Sequence, residues 1–325
     1  MKAIVFKKYG SPDVLQLGEV EKPAPTADEV LIKVHAASVN DWDLGALQGT
    51  PFLNRLMFGL LKPKMRKQIL GSDVAGRIEA IGKNVRRFRS GDEVFGDLSG
   101  RWGGFAEYVC AREDALALKP PGMTFEQAAA IPQAGLLALQ GLRDAGGLRA
   151  GQRLLINGAG GGAGTFAIQI ARSMGAEVTG VDSAAKLELL RSIGADHVID
   201  YAREDFTRSG RAYDLILDVK ATRSVFDCAR ALRPGGTYVA LGGSMARLLP
   251  AVLFAPWIAM TKKKAIRILV LKVNKGLADL IELFEAGKLA PVIDGPYELS
   301  AVPEAFRRFG AGLHKGKVVI AISGT

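Results

Sequence analysis

A glycine-rich stretch, RLLINGAGGGAGTFAIQIA (153–171), carries the most specific chemistry in the sequence. It follows an apolar run, opens a helical pattern and begins a strand–helix–strand unit, which is the setting a dinucleotide-binding loop requires. Gly161 would let the backbone approach a pyrophosphate, and Gly164 would let helix and strand pack closely. Amides at the start of the helix would hold the anion against the positive helix end. The predicted pyrophosphate-binding residues are Ala159, Gly161, Gly162, Ala163 and Gly164.

The end of the next predicted strand bears on which nicotinamide cofactor is bound. Asp182 lies about 20 residues after the glycines, where an acidic side chain binds the ribose hydroxyls of NAD. Its charge would repel the 2′-phosphate of NADP, whereas Lys186 and Ser183 could contact that phosphate. The sequence therefore predicts Asp182, Ser183 and Lys186 around the ribose and leaves both cofactors open.

Hydrophobic patterns predict the elements that position this loop. The first 120 residues alternate apolar and polar residues between Pro and Gly turns, which is typical of a mostly β unit. From Thr124, which with Gln127 forms a predicted capping box, the pattern becomes helical. Four strand–helix alternations and one further strand follow, so we predict an α/β fold with a doubly wound parallel sheet. Ligands bind at the carboxyl ends of such strands, which adds Val219, Leu241 and Gly242 to the predicted cofactor-binding set.

Length, cysteine content and charge limit the number of domains and the classes of protein and partner that fit the sequence. At 325 residues the chain exceeds a comfortable single core, so two domains are expected. Its two cysteines, Cys110 and Cys228, exclude a disulfide framework and an all-cysteine zinc site and predict a cytoplasmic protein. The net charge of +10 suits an anionic ligand or surface, but a solvated basic face explains it better, and no nucleic-acid partner is predicted. The first ten residues are too charged for a signal peptide and predict a strand.

Several short segments, taken in order, give the chain a resemblance to a known family. The segments are AASVNDWD (36–43), LGSDVAGRIEAIGKNVRRFRSGDEVFG (70–96), GGFAEYV (103–109), PQAGLLALQGL (132–142), INGAGGGAG (156–164), LLRSIGADHVIDY (189–201), RPGG (233–236) and GKVVI (316–320). The chain resembles the medium-chain dehydrogenase/reductase superfamily, and within it the zinc-independent quinone oxidoreductase branch. The resemblance implies a GroES-like β-rich catalytic domain over 1–121 and 274–325, and a Rossmann domain over 122–273.

The resemblance also bears on the cofactor. Members of the family that use NADPH have a lysine at the position of Lys186 and a tyrosine at that of Tyr201, both around the 2′-phosphate. Asp182 departs from those members, which usually have a small neutral residue there. The resemblance therefore favours NADPH, with NADH as the alternative.

The same resemblance predicts a site without zinc. A catalytic zinc needs about three ligands drawn from Cys, His and carboxylate side chains. Zinc-dependent members carry a cysteine, a histidine and an acidic residue where Asn40, Ser72 and Asp73 stand here. Their third ligand falls near PQAGLL (132–137), which contains no cysteine or histidine. Structural or surface roles suit the three histidines of the chain better than ligation, so no metal is predicted.

A site without zinc favours quinones and α,β-unsaturated carbonyls over simple alcohols as substrates. Alcohol oxidation needs a stabilised alkoxide, which a metal usually provides. Hydride addition to a quinone or an α,β-unsaturated carbonyl instead develops charge on a conjugated oxygen, which hydrogen-bond donors can stabilise. By family position the catalytic candidates are Asn40, whose amide could donate to that oxygen, and Asp43, which could relay a proton or hold its loop. A tyrosine that some relatives carry after this segment is missing here, so the final proton could come from water.

The predicted function is therefore NAD(P)H-dependent reduction of a quinone or an α,β-unsaturated carbonyl. The alternatives are an NAD(P)-dependent alcohol dehydrogenase and a cofactor-binding protein of low turnover at a membrane surface. Segment 50–68 combines an apolar run with five basic residues, and the apolar segment 248–260 is followed by TKKKAIR (261–267). Together they indicate a hydrophobic small-molecule acceptor or weak contact with a membrane surface. IRILVLKV (266–273) predicts an edge strand that pairs across a two-fold axis, so a homodimer is expected.

Overall fold

The chain divides into two compact units. A computed structural model of the protein describes residues 1–50, 55–56, 58–64, 68–98 and 100–322. The first unit comprises Met1–Gln133 and Ile293–Thr325, and the second comprises Ala134–Val292. The second unit is thus an unbroken stretch of chain, whereas the first is assembled from both ends of it.

Residues 274–292, which the sequence assigned to the first domain, lie in the second unit. Hydrogen bonds explain this position. Gln140 Nε2 donates to Lys275 O at 2.9 Å, and Gln169 Nε2 donates to Ala290 O at 3.0 Å. These amide side chains fasten the segment to helices of the second unit, a constraint that hydrophobic patterning alone does not reveal.

The strands follow one another from the amino-terminal to the carboxyl-terminal part of the chain. They are β1 (Lys2–Val5), β2 (Gln16–Glu19), β3 (Glu29–Ser38), β4 (Asp73–Ile81), β5 (Glu93–Asp97), β6 (Tyr108–Arg112), β7 (Ala117–Leu118), β8 (Arg153–Asn157), β9 (Glu177–Asp182), β10 (His197–Asp200), β11 (Tyr213–Asp218), β12 (Leu232–Ala240), β13 (Ala265–Ile268), β14 (Ile293–Glu298) and β15 (Lys317–Ala321).

The α-helices lie between these strands, together with short 3₁₀ turns. They are α1 (Asp41–Gln48), α2 (Phe125–Ala130), α3 (Pro132–Leu139), α4 (Gly162–Ser173), α5 (Leu187–Ser192), α6 (Val225–Arg230), α7 (Met245–Lys262), α8 (Leu277–Glu285) and α9 (Val302–Gly310). The capping box predicted for α2 is confirmed: Gln127 N–H donates to Thr124 Oγ1, and Thr124 N–H donates to Gln127 Oε1.

The first unit is built on a mostly antiparallel sheet, as the alternating sequence predicts. The strand order is β14-β15-β3-β4-β5-β7, with β6 also paired to β3. Only the β14–β15 pair among these is parallel. Large apolar side chains, including Phe6, Phe105 and Phe306, form its core. The last strand, β15, therefore lies inside the sheet beside β3.

The carboxyl-terminal segment differs from its β-rich prediction, because α9 stands between β14 and β15. Pro303 lies in the first helical turn, where its missing N–H costs nothing. Val302, Ala305 and Phe306 recur at helical spacing and are buried on one face. The helical spacing of these three apolar residues explains why the chain forms a helix between the two strands.

The second unit has the doubly wound parallel sheet that the sequence predicts. Its strand order is β10-β9-β8-β11-β12-β13, and every pair is parallel. β10 was not among the predicted strands, and β13 ends at Ile268 rather than at Val273. The order reverses at β8, which places a ligand-binding crevice at the carboxyl ends of the central strands.

Segment 248–260 lies within α7, which contains Pro250 and Pro256. Leu253, Trp257 and Met260 are exposed on this helix. Within the ranges that the structure describes, no helix has the length and apolar character needed to cross a bilayer.

Candidate active site

The glycine loop joins β8 to α4 at the centre of the parallel sheet. Gly158 has a φ of +82°, which favours glycine, and its N–H donates to Val181 O at 3.0 Å. A Cβ on Gly164 would lie 2.3 Å from Gly158 O, so the close approach of α4 to β8 requires glycine there. The first amides of α4 lack partners within the helix and face its amino-terminal end. This arrangement fits the pyrophosphate of a dinucleotide.

Asp182, at the end of β9, is bound to this loop. Its Oδ2 accepts the N–H of Gly160 at 2.8 Å, and its Oδ1 accepts the N–H of Ser183 at 2.8 Å. Lys186 Nζ lies 3.6 Å from Asp182 Oδ1, and both side chains are buried. Lys186 also packs over the loop, because a Cβ on Gly160 would lie 2.6 Å from Lys186 Cδ. Both carboxylate oxygens are therefore already engaged within the protein.

Tyr201 follows β10 and lies beside this group. Its N–H donates to Asp182 O at 3.2 Å, and the residue is 54% exposed. Predicted residues from separate parts of the sequence thus meet at the carboxyl ends of β9 and β10: Asp182, Ser183, Lys186 and Tyr201.

A buried polar network that the sequence reasoning missed lies at the end of β11. Asp218 Oδ1 accepts from Asn157 Nδ2 at 2.8 Å and from Ala221 N–H at 2.7 Å, while Tyr238 OH donates to its Oδ2 at 3.0 Å. Burial raises the pKa of Asp218, and these hydrogen bonds oppose the rise. The available signal was a polar residue closing each of two apolar runs, RLLIN (153–157) and YDLILD (213–218).

The remaining predicted cofactor residues lie next to this network. Val219 N–H donates to Asn157 O at 3.0 Å, and Leu241 N–H donates to Asp218 O at 2.9 Å. A Cβ on Gly242 would lie 3.8 Å from Val219 O. Val219, Leu241 and Gly242 are therefore neighbours at the carboxyl ends of β11 and β12.

In the first unit, the two catalytic candidates lie at the start of α1. Asn40 precedes the helix, and Asp43 is in its first turn. Asp43 Oδ2 accepts the N–H of Asn40 and Oδ1 accepts the N–H of Gly71, each at 2.9 Å. The Asp43 carboxylate therefore joins the start of α1 to the loop before β4.

The surroundings of Asp43 alter its acidity. Burial raises the pKa of Asp43 to about 7, although the N–H donors of Gly71 and Asn40 lower it. The charge of Asp73 raises this pKa further, and that of Lys317 lowers it. Because Asp43 is fully buried and both its oxygens accept backbone N–H groups, the geometry favours holding the loop over relaying a proton.

The Asn40 amide is held at both of its polar atoms. Its Nδ2 donates to Ser72 Oγ at 3.0 Å, and its Oδ1 accepts from Lys317 Nζ. Asn40 is only 4% exposed and Lys317 only 3%. Lys317 was not a predicted site residue, and the signal was available: a lysine opening the otherwise apolar strand of the GKVVI segment (316–320).

Asp73, at the start of β4, lies against the Lys317 ammonium. Lys317 Nζ is 3.2 Å from Asp73 Oδ2, which also accepts from Ser38 Oγ and from Gln133 N–H, each at 3.3 Å. Asp73 Oδ1 is buried and has no hydrogen-bond partner among the residues that the structure describes. We call these side chains the amide cluster: Ser38, Asn40, Ser72, Asp73 and Lys317.

The amide cluster does not suit a zinc ion. Asn40 and Ser72 are neutral and are not among the usual ligands of zinc, and the Asp73 carboxylate already pairs with the Lys317 ammonium. A divalent cation beside Asp73 would therefore be repelled by the buried ammonium group of Lys317. Elsewhere in the described ranges, too, no group of three or more His, Cys, Asp or Glu side chains is arranged to hold a metal.

The segments predicted to contact the acceptor are only partly visible. Within 50–68, residues 51–54, 57 and 65–67 lie outside the described residues. Segment 248–260 is on α7 and exposes apolar side chains. Its role in binding an acceptor stays a prediction.

Comparison with known proteins identifies the family. Residues 26–121 match the alcohol dehydrogenase GroES-like domain, and residues 193–320 match the zinc-binding dehydrogenase family. The chain is 33% identical to the 2-methylene-furan-3-one reductase of Solanum lycopersicum and 33% identical to the chloroplastic NADPH-dependent alkenal/one oxidoreductase of Arabidopsis thaliana. Both alignments cover 98% of this chain and 79% of the relative.

A solved structure agrees with these matches over nearly the full length. The quinone oxidoreductase from Coxiella burnetii has a TM-score of 0.86 and 30% identity to this chain, with 99% of each covered. The resemblance noted in the sequence is confirmed, as is the pairing of a GroES-like domain with a Rossmann-like parallel sheet. The chain belongs to the medium-chain dehydrogenase/reductase superfamily of oxidoreductases, among its quinone oxidoreductases.

Proposed function

We propose that the chain reduces quinones and α,β-unsaturated carbonyls with NADPH and without zinc. The observation that carries this proposal is the buried Asn40 amide, whose oxygen is bound by an ammonium group. Of its two N–H groups, one donates to Ser72 Oγ, and the other, for which the described part of the chain shows no acceptor, would donate to a substrate oxygen. The names of the quinone and alkenal/one oxidoreductase relatives support the same class of acceptor.

The second unit would hold the cofactor. The amides of Gly162 and Ala163 would bind the pyrophosphate, and Lys186 and Tyr201 would bind the 2′-phosphate. When bound, NADPH supplies the hydride. Asp182 would repel the 2′-phosphate less strongly than an unpaired carboxylate would. Its oxygens already accept two N–H groups, and Oδ1 lies near the Lys186 ammonium. This internal pairing supports NADPH as the preferred cofactor, with NADH as the weaker one.

The first unit would stabilise the product of hydride transfer. As the acceptor gains electrons, the Asn40 amide would donate to the oxygen on which negative charge develops. Asp43 would hold Asn40 and Gly71 in place through its two N–H acceptors. A water molecule would then protonate the enolate at its α-carbon, or the quinolate at its oxygen, and leave as hydroxide, which completes the two-electron reduction.

The test of this function is NADPH consumption after metal removal. The purified protein is treated with a chelator, and NADPH oxidation is followed with a naphthoquinone, an enone and a simple aldehyde. We expect turnover of the first two acceptors and much slower turnover of the aldehyde. Loss of activity on chelation, with recovery on adding zinc, would contradict a zinc-free mechanism and favour the alcohol dehydrogenase alternative.

Cofactor preference is tested by Lys186→Ala and Asp182→Gly. We expect Lys186→Ala to weaken NADPH binding about tenfold and NADH binding little, because one charge-assisted contact to phosphate is lost. Asp182→Gly should favour NADPH further, provided the loop keeps its shape. Lys288→Ala, which removes an exposed lysine of the same unit, is the control. An unchanged NADPH affinity in Lys186→Ala would refute the assignment of the phosphate.

A membrane-surface role is the second candidate, and α7 is the observation that favours it. Its exposed apolar residues Leu253, Trp257 and Met260 precede the basic run Lys262–Lys264. Such a surface suits an anionic bilayer. Co-sedimentation with anionic vesicles that is lost at high salt, together with cofactor binding but no turnover, would favour this candidate.

Both cysteines are free thiols, which supports a reducing compartment such as the cytoplasm.

A further inference from the structure

The contact with Ser72 leaves the Asn40 amide two orientations. A hydroxyl both donates and accepts, so Ser72 Oγ can accept from Asn40 Nδ2 or, after a half-turn of the amide, donate to Oδ1. In the first orientation the amide directs a spare N–H away from Ser72. In the second it directs a carbonyl lone pair there instead. Only the first stabilises negative charge on a substrate oxygen.

Lys317 distinguishes these orientations because an ammonium group has donors and no acceptor. Its Nζ donates to Asn40 Oδ1 and to Val39 O, the latter at 3.2 Å, and pairs with Asp73 Oδ2 at 3.2 Å. These partners account for its three N–H groups. If the amide turned over, Nδ2 would face Nζ, and two donors would oppose each other. The unfavourable orientation is thereby excluded.

The fold prevents Lys317 from moving away. β15 pairs with β3, and Val39 N–H donates to Val318 O at 2.9 Å, so the register places Lys317 beside Val39 and Asn40. Asp73, which balances the charge, is itself held by Ser38 Oγ and Gln133 N–H. The ammonium therefore has a fixed position in a buried site, where a single charged donor has a strong effect.

We propose that Lys317 is a positioning residue that selects the orientation of the Asn40 amide, so that a donor faces the substrate oxygen. The proposal rests on the proposed function in one respect, the role of the Asn40 amide as the donor to that oxygen. Lys317 itself would contact neither substrate nor cofactor and would act only through Asn40.

The test is a double-mutant cycle on turnover. Asn40→Ala should lower kcat by about 10²–10³-fold, the usual effect of losing one such donor. Lys317→Met lets the amide populate both orientations, so kcat should fall about two- to tenfold while KM changes little. In the Asn40→Ala background, Lys317→Met should have no further measurable effect on kcat. Equal effects of Lys317→Met in both backgrounds would overturn the proposal.

Two variants serve as control and fallback. Lys315→Met removes an exposed lysine two positions away and should leave kcat unchanged. Lys317→Met leaves Asp73 as an uncompensated buried charge, so it could fail to fold. Lys317→Met combined with Asp73→Asn removes both charges and should show the same dependence on Asn40. Wild-type turnover in this double variant would refute the proposal.

A second readout separates this proposal from the proposed function. In ¹⁵N-labelled protein, the Asn40 side-chain amide signals should shift and exchange faster with solvent in Lys317→Met than in Lys315→Met. Unchanged signals would overturn the assignment of Lys317, whatever the activity. If the wild-type protein turns over none of the acceptors, the proposed function fails, and the signals still decide whether Lys317 controls the amide.

Discussion

Asp43 illustrates at the residue scale how burial changes the part a carboxylate can play. From the sequence it is an acidic residue three positions after Asn40, free to relay a proton or to hold a loop. In the structure it is sealed from solvent, and each oxygen accepts one backbone N–H. Its pKa of about 7 therefore reflects the cost of a buried charge and provides a signature that can be measured.

We expect Asp43 to make the fold less stable as pH rises. The native protein holds this proton up to about pH 7, whereas the unfolded chain releases it near the usual value of 3.8. The stabilisation is thus fully present below 3.8 and is lost as pH approaches 7. Compared with Asp43→Asn, the wild type should lose about 1 kcal/mol more per pH unit over this window.

Urea unfolding at several pH values between about 4.5 and 7 measures this difference. Asp41→Asn, which removes an exposed carboxylate from the same helix, should keep the wild-type slope. Parallel slopes for the wild type and Asp43→Asn would show that Asp43 titrates alike in the folded and unfolded chain.

A site residue could be predicted from the sequence only where a motif or a known spacing also indicated its partners. Asn40 and Asp182 were predicted because a motif or a known spacing surrounds them. Lys317 was missed although its segment had been noted, since its partners Asn40 and Asp73 lie more than 200 residues away in sequence. The lysine itself stands out in an apolar strand, but no local pattern shows which residues it pairs with, because the pairing depends on the register between β15 and β3.

At the element scale, the unit formed by β8, the glycine loop and α4 depends on how closely the helix approaches the strand. The missing side chain at Gly164 allows this approach, and the hydrogen bond from Gly158 N–H to Val181 O fixes the loop to β9. The loop, its strand and its helix were all predicted, because each has a distinct local signal. Helix α9 was not predicted, because it is short and lies between two strands.

Gly164→Ala should push α4 away from β8. Its Cβ would lie 2.3 Å from Gly158 O, a backbone atom that has little room to move. We expect a loss of about 1–3 kcal/mol in the free energy of unfolding. NADPH affinity should fall about tenfold or more as the amides of α4 shift. Urea unfolding and a fluorescence titration with NADPH measure the two effects.

Gly310→Ala on α9 is the matched control, since its Cβ would meet only Leu44 Cδ2 at an ordinary 3.6 Å. Its stability should stay within about 0.5 kcal/mol of the wild type. If Gly164→Ala were equally silent, the close approach of α4 would not be a requirement of the site.

At the scale of the whole molecule, β13 is an edge strand of the parallel sheet. Edge strands present unpaired backbone groups, so we propose that two chains pair here to form a homodimer. Leu269 N–H donates to Ala240 O on β12, and because successive residues alternate, Ile268 N–H faces away from β12. That N–H is a donor available to a second copy.

Ile268→Pro should therefore convert a dimer into a monomer, because proline has no N–H to donate. Ile268→Ala, which shortens the side chain but keeps the N–H, should remain a dimer. Size-exclusion chromatography with light scattering distinguishes the two outcomes. A wild-type monomer, or a dimeric Ile268→Pro variant, would show that β13 is not the interface.

The position of β15 also has a consequence for synthesis of the chain. The ribosome must complete the whole of Ala134–Val292 before Lys317 emerges, so the Rossmann unit can fold first as an unbroken segment. Until then, β3 lacks the neighbour that β15 provides, and Asp73 is a carboxylate without its ammonium. The nascent first unit is therefore incomplete, and the Asn40 site assembles only after the second unit and Lys317 have been translated.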